Sequence, residues 1–176
     1  MIKFNNTKIK NLKIVSIKNI NDKRGFFGRL FCKKIFGKKF KNISQINRSF
    51  TKKKFTIRGM HYQVPPFPED KIILCTKGKV FDVAIDLRKK SKTFGKWHSV
   101  ILSNKNNKMF LIPKGFAHGF MSLEKNTEII YFVSEFYNPK KEKGILYNDP
   151  FFSIKWPAKP TLVSKKDLKW PIFKAK

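Results

Sequence analysis

The sequence has 176 residues and 19 Phe, with 40 Lys and Arg against 11 Asp and Glu, a formal net charge of +29. That length fits one domain with a sizeable core, spanning 1–176, and the aromatic content excludes a chain disordered throughout. The basic residues are dispersed along the whole sequence rather than gathered on a recognisable module, which argues for a solvated surface and against specific nucleic-acid binding.

The opening, Met1 to Asn6, lacks the apolar core of a signal peptide. Residues 8–18 hold partly alternating β-formers among lysines, the pattern of an edge strand. A turn over Asn19 to Lys23 leads to Arg24-Gly25-Phe26-Phe27, and the mixed stretch from Leu30 to Lys41 is the best place for a short helix. From Ser44 onward nearly every segment reads as a short strand: 44–49, 55–58, 71–76, 80–87, 97–102, 109–112, 118–123 and 128–136. Gly, Pro and Asn punctuate them, so an all-β sandwich or barrel is expected rather than an α/β fold. The segment from Pro157 to Pro171 is expected to wrap the body, anchored by Trp156 and Trp170. Two cysteines, Cys32 and Cys75, make no disulfide framework, and no run approaches the ~20 apolar residues of a spanning helix. A reduced, cytoplasmic protein without membrane insertion is the expectation.

Chemistry gathers around Arg58-Gly59-Met60-His61-Tyr62-Gln63 and Lys71. Arginine suits phosphate, histidine moves protons near neutral pH, and lysine can hold a developing oxyanion. Three residues apart, Arg58 and His61 would face opposite ways on a regular strand, unless Gly59 supplies a bulge. In Val80 to Arg88, Asp82, Ala84, Asp86 and Arg88 share one face, which reads as a polar, substrate-facing interior. On the other face lie Phe81, Val83, Ile85 and Leu87. Pro113-Lys114-Gly115-Phe116-Ala117-His118 matches the corner of cupin barrels. The His-x-His set of a metal cupin is missing, because His61 is followed by Gln63, and no metal is expected.

Taken in order, several motifs together resemble the dTDP-4-dehydrorhamnose 3,5-epimerase family of nucleotide-sugar enzymes, over about residues 15 to 171. They are Asp22-Lys23-Arg24-Gly25-Phe26-Phe27, Gln45-Ile46-Asn47-Arg48-Ser49, the Arg58 to Gln63 stretch, Lys71, the Gly78 to Arg88 run and the His118 corner, followed by Tyr131, Asn148-Asp149-Pro150, Trp156-Pro157 and Ser164-Lys165-Lys166-Asp167. The resemblance implies a cupin-type double-stranded β-helix (jelly roll) with short peripheral helices, a homodimer, and epimerisation at C3 and C5 of a 4-keto sugar without cofactor or metal.

Protons beside a ketone are acidified because the carbanion delocalises onto the oxygen. On the family's pattern His61 is the base, Asp167 its counter-charge, Lys71 the donor to the enolate oxygen, and Tyr131 the acid on the opposite face. Arg24, Phe26, Gln45, Asn47, Arg58, His118 and Tyr137 fall on substrate-binding positions, the arginines suited to the diphosphate. Arg29 stands where the family pattern carries an acidic residue near the nucleotide base. That reversal concerns the nucleotide and leaves the proton-transfer set intact. Two other readings are an epimerase acting at C3 alone or on another nucleotide, and a non-catalytic cupin that binds polyanions through its basic surface.

Overall fold

The computed structural model describes residues 1–174. In chain order the strands are β1 (Ile2–Asn6), β2 (Lys13–Ile17), the hairpin β3 (Ile20–Asp22) and β4 (Gly25–Phe27), β5 (Gln45–Thr51), β6 (Thr56–Gln63) and β7 (Lys71–Lys77). They continue with β8 (Lys79–Asp86), β9 (Trp97–Ser103), β10 (Lys108–Ile112), β11 (Phe116–Ser122), β12 (Thr127–Val133), β13 (Glu142–Gly144) and β14 (Leu162–Val163). One short helix, α1 (Lys33–Phe36), and single 3-10 turns at Gly37–Lys39 and Asp167–Lys169 are peripheral. No helix among the described residues is long and apolar enough to cross a membrane.

Two sheets make the body. The first has the order β1-β2-β10-β7-β12-β5, and the second β13-β6-β11-β8-β9, with β14 added in parallel to β6. This crossed strand order is that of the expected jelly roll. Ile73, Cys75, Phe110, Ile112 and Ile129 of the first sheet meet Val80, Ala84, Leu102, Phe116 and Phe120 of the second in the central core. Outer faces are covered as well. Ile72, Leu74, Met109 and Leu111 pack under Phe36 and Phe40, while Val83, Ile85 and Ala117 pack under Ile145, Phe152 and Ile154. The run Ile72-Ile73-Leu74-Cys75 is therefore apolar without alternation because β7 is buried on both sides.

Three local readings change. The lysine-bearing segment at 8–18 is a strand only from Lys13, and it lies inside the sheet between β1 and β10. Thr7 Oγ1 donates to the carbonyls of Ile9 and Leu12, and Asn11 adopts a φ of 72°, so residues 7–12 turn the chain and leave β1 as the edge. The helix after Leu30 is only one turn long because Gly37, at φ 50°, ends it. Asp86 is buried but does not line the cleft, as a substrate-facing residue would. Its carboxylate accepts from Arg88 Nε and Nη2, Ser91 Oγ and Thr93 Oγ1, closing the loop between β8 and β9.

Burial opposes ionisation of Asp86, but these donors hold its pKa at about 2, below the ordinary 3.8. A depressed carboxylate pKa stabilises the fold above about pH 4, and that contribution is lost as pH falls from about 4 towards 2. We expect Asp86→Asn to cost about 1–3 kcal/mol at neutral pH. Urea titrations at pH 7 and pH 3 test this: the gap between variant and wild type should narrow at the lower pH.

Candidate active site

β6 supplies the first two groups, and Gly59 sets their geometry. In the pairing of β6 with β11, His61 faces His118 and Arg58 faces Phe120, so two residues of β6 oppose the single Gly119. This is the bulge that lets Arg58 and His61 both line one cleft. Gly59 sits at φ 129°, and a Cβ there would lie 2.5 Å from Gly119 Cα. A Cβ on Gly119 would in turn meet Met60 Sδ at 2.6 Å and the Arg58 carbonyl at 2.8 Å. The two glycines interlock, and neither tolerates a side chain.

The cleft has two lobes of about 410 and 340 Å³ that share His61, Lys71 and Tyr131. Arg58, His118, Lys166 and Asp167 line the first lobe. Gln45, Asn47, Glu69, Tyr137 and Glu142 line the second. A wider groove of about 890 Å³ on the other side of β6 is lined by residues such as Tyr62, Leu87, Phe94 and Phe173. It includes neither a histidine nor a carboxylate, and so has no counterpart of the His61–Asp167 pair.

His61 Nε2 lies 2.6 Å from Asp167 Oδ1. Asp167 also accepts from the Gly59 N–H at 3.4 Å, and its own N–H is held by Ser164 Oγ. Burial alone would raise the Asp167 pKa, but the His61 hydrogen bond and charge bring it below the ordinary value. The carboxylate is therefore ionised at neutral pH, and it accepts the Nε2 proton. Nδ1 is left as the basic nitrogen.

Lys71 is buried, with Nζ 3.0 Å from Glu69 Oε1. On the neighbouring strand β12, the Tyr131 phenol is held above its ordinary pKa by burial and by the charge of Glu69, so it stays protonated. His118 is also buried, and its Nε2 lies 2.8 Å from Asp82 Oδ1. Asp82 is fully buried, and desolvation raises its pKa despite the opposing charge and hydrogen bond of His118. Arg58 donates Nε to Thr51 Oγ1 and Nη2 to the Phe50 carbonyl, a posture that leaves guanidinium donors for an anion.

Of the eleven residues expected at the site, nine line the two lobes. Arg24 and Phe26 do not. They sit on the β3–β4 hairpin, where Arg24 pairs with Asp22 and its side chain is 91% exposed. Reading the sequence missed Glu69, the partner of Lys71, and Glu142, which accepts from Tyr137 Oη at 2.7 Å and Lys166 Nζ at 2.5 Å. It placed Asp82 on a polar face without foreseeing its bond to His118. The last is the one signal that was available, through strand parity. Among the described residues, no group of three or more His, Cys, Asp or Glu side chains comes together in a way that could hold a metal. Both cleft histidines instead engage a carboxylate.

A jelly roll with a histidine–aspartate pair, a buried lysine and a protonated tyrosine around one cleft is the equipment of a cupin-type acid–base enzyme. The family model for dTDP-4-dehydrorhamnose 3,5-epimerase matches residues 6–175. The chain is 41% identical over 166 residues to the dTDP-4-dehydrorhamnose 3,5-epimerase of Shigella flexneri, covering 92% of this chain and 91% of that one. The crystal structure of the Bacillus anthracis enzyme of that name, with TDP and PPi bound, superposes with a TM-score of 0.95 at 36% identity, covering 98% of this chain and all of the other. A Legionella pneumophila epimerase in complex with dTDP-4-keto-L-rhamnose gives a TM-score of 0.89 at 39% identity, covering 95% and 90%. The chain belongs to the dTDP-4-dehydrorhamnose 3,5-epimerase family.

Replacing Gly59 by Ala forces a side chain into the Gly119 backbone at positive φ. We expect a loss of about 2–4 kcal/mol in denaturant unfolding, whereas Gly→Ala at a position with a compatible backbone stabilises by about 0.4–1 kcal/mol.

Proposed function

We propose that this chain inverts C3 and C5 of dTDP-4-dehydro-6-deoxy-D-glucose to give dTDP-4-dehydro-L-rhamnose. The observation that carries the reading is the meeting of His61, Lys71 and Tyr131 where the two lobes join. His61, with Asp167 behind it, takes the proton from the carbon beside the ketone. The electron pair of the broken C–H bond moves into the C4 oxygen, and Lys71 donates a hydrogen bond to the enolate. When the enolate collapses, Tyr131 delivers a proton to the opposite face; the phenolate then takes a proton from water and His61 gives its own to the resulting hydroxide, which restores both groups. A fixed donor to the oxyanion is worth about 3–4 kcal/mol of barrier. Repetition at the second carbon, with the same ketone as electron sink, completes the double inversion. Arg58 and Lys166 line the lobe and suit the diphosphate, and His118, oriented by Asp82, is a further donor to the sugar. Gln45, Asn47 and Tyr137 on the second lobe are placed to take another part of the nucleotide sugar. The whole chain serves as one catalytic domain.

We also propose a homodimer. The β3–β4 hairpin exposes Phe26 at 70% and Phe27 at 61%, and the edge strand β5 exposes Ile46 at 60%. Apolar side chains clustered on a hairpin and an edge strand are what a second copy would cover. Arg24 and Phe26 could then serve a substrate only from the neighbouring subunit.

The first test is deuterium uptake from heavy water into the 4-keto sugar nucleotide, read by NMR. Label at both C3 and C5 is expected. His61→Asn should lower the exchange rate by at least 10³-fold while leaving the far-UV spectrum unchanged. Label at C3 alone would assign a single-site epimerase. Tight, salt-dependent binding of generic polyanions without any exchange would assign a non-catalytic cupin. For the assembly, light scattering should give about twice the 20.7 kDa chain mass. Phe26→Ser with Phe27→Ser should move it towards one.

A further inference from the structure

Asp167 reaches His61 from a C-terminal segment, residues 157–174, that has little regular structure: the two-residue β14 and one 3-10 turn. A carboxylate held 2.6 Å from its partner on such a segment needs an anchor. Trp170, directly after the turn, is the candidate. Its ring centroid lies 6.2 Å from that of His61, edge to face, and Lys166 Nζ stands 5.8 Å from its face. The buried indole N–H has no hydrogen-bond partner among the described residues. Shape rather than hydrogen bonding therefore fixes the ring.

The shape is supplied by Gly144 on β13, which pairs with His61 across the sheet. A Cβ on Gly144 would lie 2.2 to 2.3 Å from Cε2, Cδ2 and Nε1 of Trp170. The conformation at this position is open to any L-residue, since its φ lies outside the left-handed range. Backbone freedom is not why glycine is here. The missing side chain is what lets the indole lie against the strand opposite His61. A rigid bicyclic ring cannot yield to a methyl group as the end of a lysine could, so any side chain must lift Trp170, and the turn bearing Asp167 with it.

We propose that Gly144 is a positioning residue for proton transfer. It seats Trp170, which holds the 3-10 turn so that Asp167 stays bonded to His61. The proposal rests on the epimerase reading above. It names a residue that touches none of the reacting atoms and meets the dyad only through its backbone pairing with His61, and it predicts a defect in the chemical step with substrate binding largely kept.

The test is a double-mutant cycle on deuterium exchange and turnover with the intact protein. Gly144→Ala should lower kcat and the exchange rate about 10–100-fold with KM changed less than about threefold. In a Trp170→Ala background, where no indole remains to be displaced, the same substitution should cost less than about twofold. In an Asp167→Asn background its effect should likewise vanish, because the group it positions is already lost. The fluorescence of Trp170, isolated by replacing the other tryptophans with Phe, should shift to longer wavelength in Gly144→Ala as the ring moves towards water.

Equal losses in all three backgrounds would overturn the proposal, as would a loss confined to KM. Unchanged kcat in Gly144→Ala would also overturn it, provided the wild type exchanges deuterium. If the wild type itself fails to exchange, the epimerase reading falls first. The fluorescence shift then decides the seating of Trp170 independently.

Discussion

The bond between His61 and Asp167 joins two parts of the chain 106 residues apart. Asp167, only 4% exposed at its side chain, is buried beside β6, and a buried carboxylate without partners is strongly destabilising. It has two, the imidazole and the Gly59 N–H, while the Asp167 N–H donates to the hydroxyl of Ser164. Docking of the C-terminal segment and assembly of the dyad are therefore the same event. Neither the histidine's orientation nor the closure of the cleft is complete without the other.

The same economy governs the charges. The chain has 11 acidic residues against 40 basic ones, and four of the acids stand at or directly behind the cleft, each bonded to a basic side chain there. Asp167 is on His61, Glu69 on Lys71, Asp82 on His118 and Glu142 on Lys166. Lysines on the exterior can accumulate at little cost because water and salt screen them. Inside the cleft, where screening is weak, each histidine and Lys71 is matched. The excess of positive charge remains available to an anionic ligand, while the acid–base groups keep fixed partners.

Much of this was legible in the sequence, for identifiable reasons. Short strands punctuated by Gly, Pro and Asn announced an all-β body, and the ordered motifs located eight residues that line the cleft. The parity conflict between Arg58 and His61 pointed correctly to a bulge at Gly59, because a period of two leaves no other way to bring both to one side. Parity placed Asp86 inside but not its role, since three side chains of the following loop take its carboxylate and it does not reach the cleft. Strand pairing order, which put β2 inside its sheet and β1 at the edge, is non-local and leaves no mark on any single segment. The pairings of Glu69 and Glu142 were invisible for the same reason: a lone acidic residue on a strand or loop carries no sign of which cation the fold will bring to it.

The late position of Asp167 has a consequence for how the protein comes into being on the ribosome. Every strand of the two sheets except β14, with the interlocked glycines, Arg58, Lys71, His118 and Tyr131, is encoded before residue 145. Domains assemble as the chain emerges, amino end first. The arginine and buried lysine of the cleft therefore leave the ribosome well before the carboxylate that pairs with its histidine. The groups suited to an anion are made first, and the His61–Asp167 pair is completed only after them.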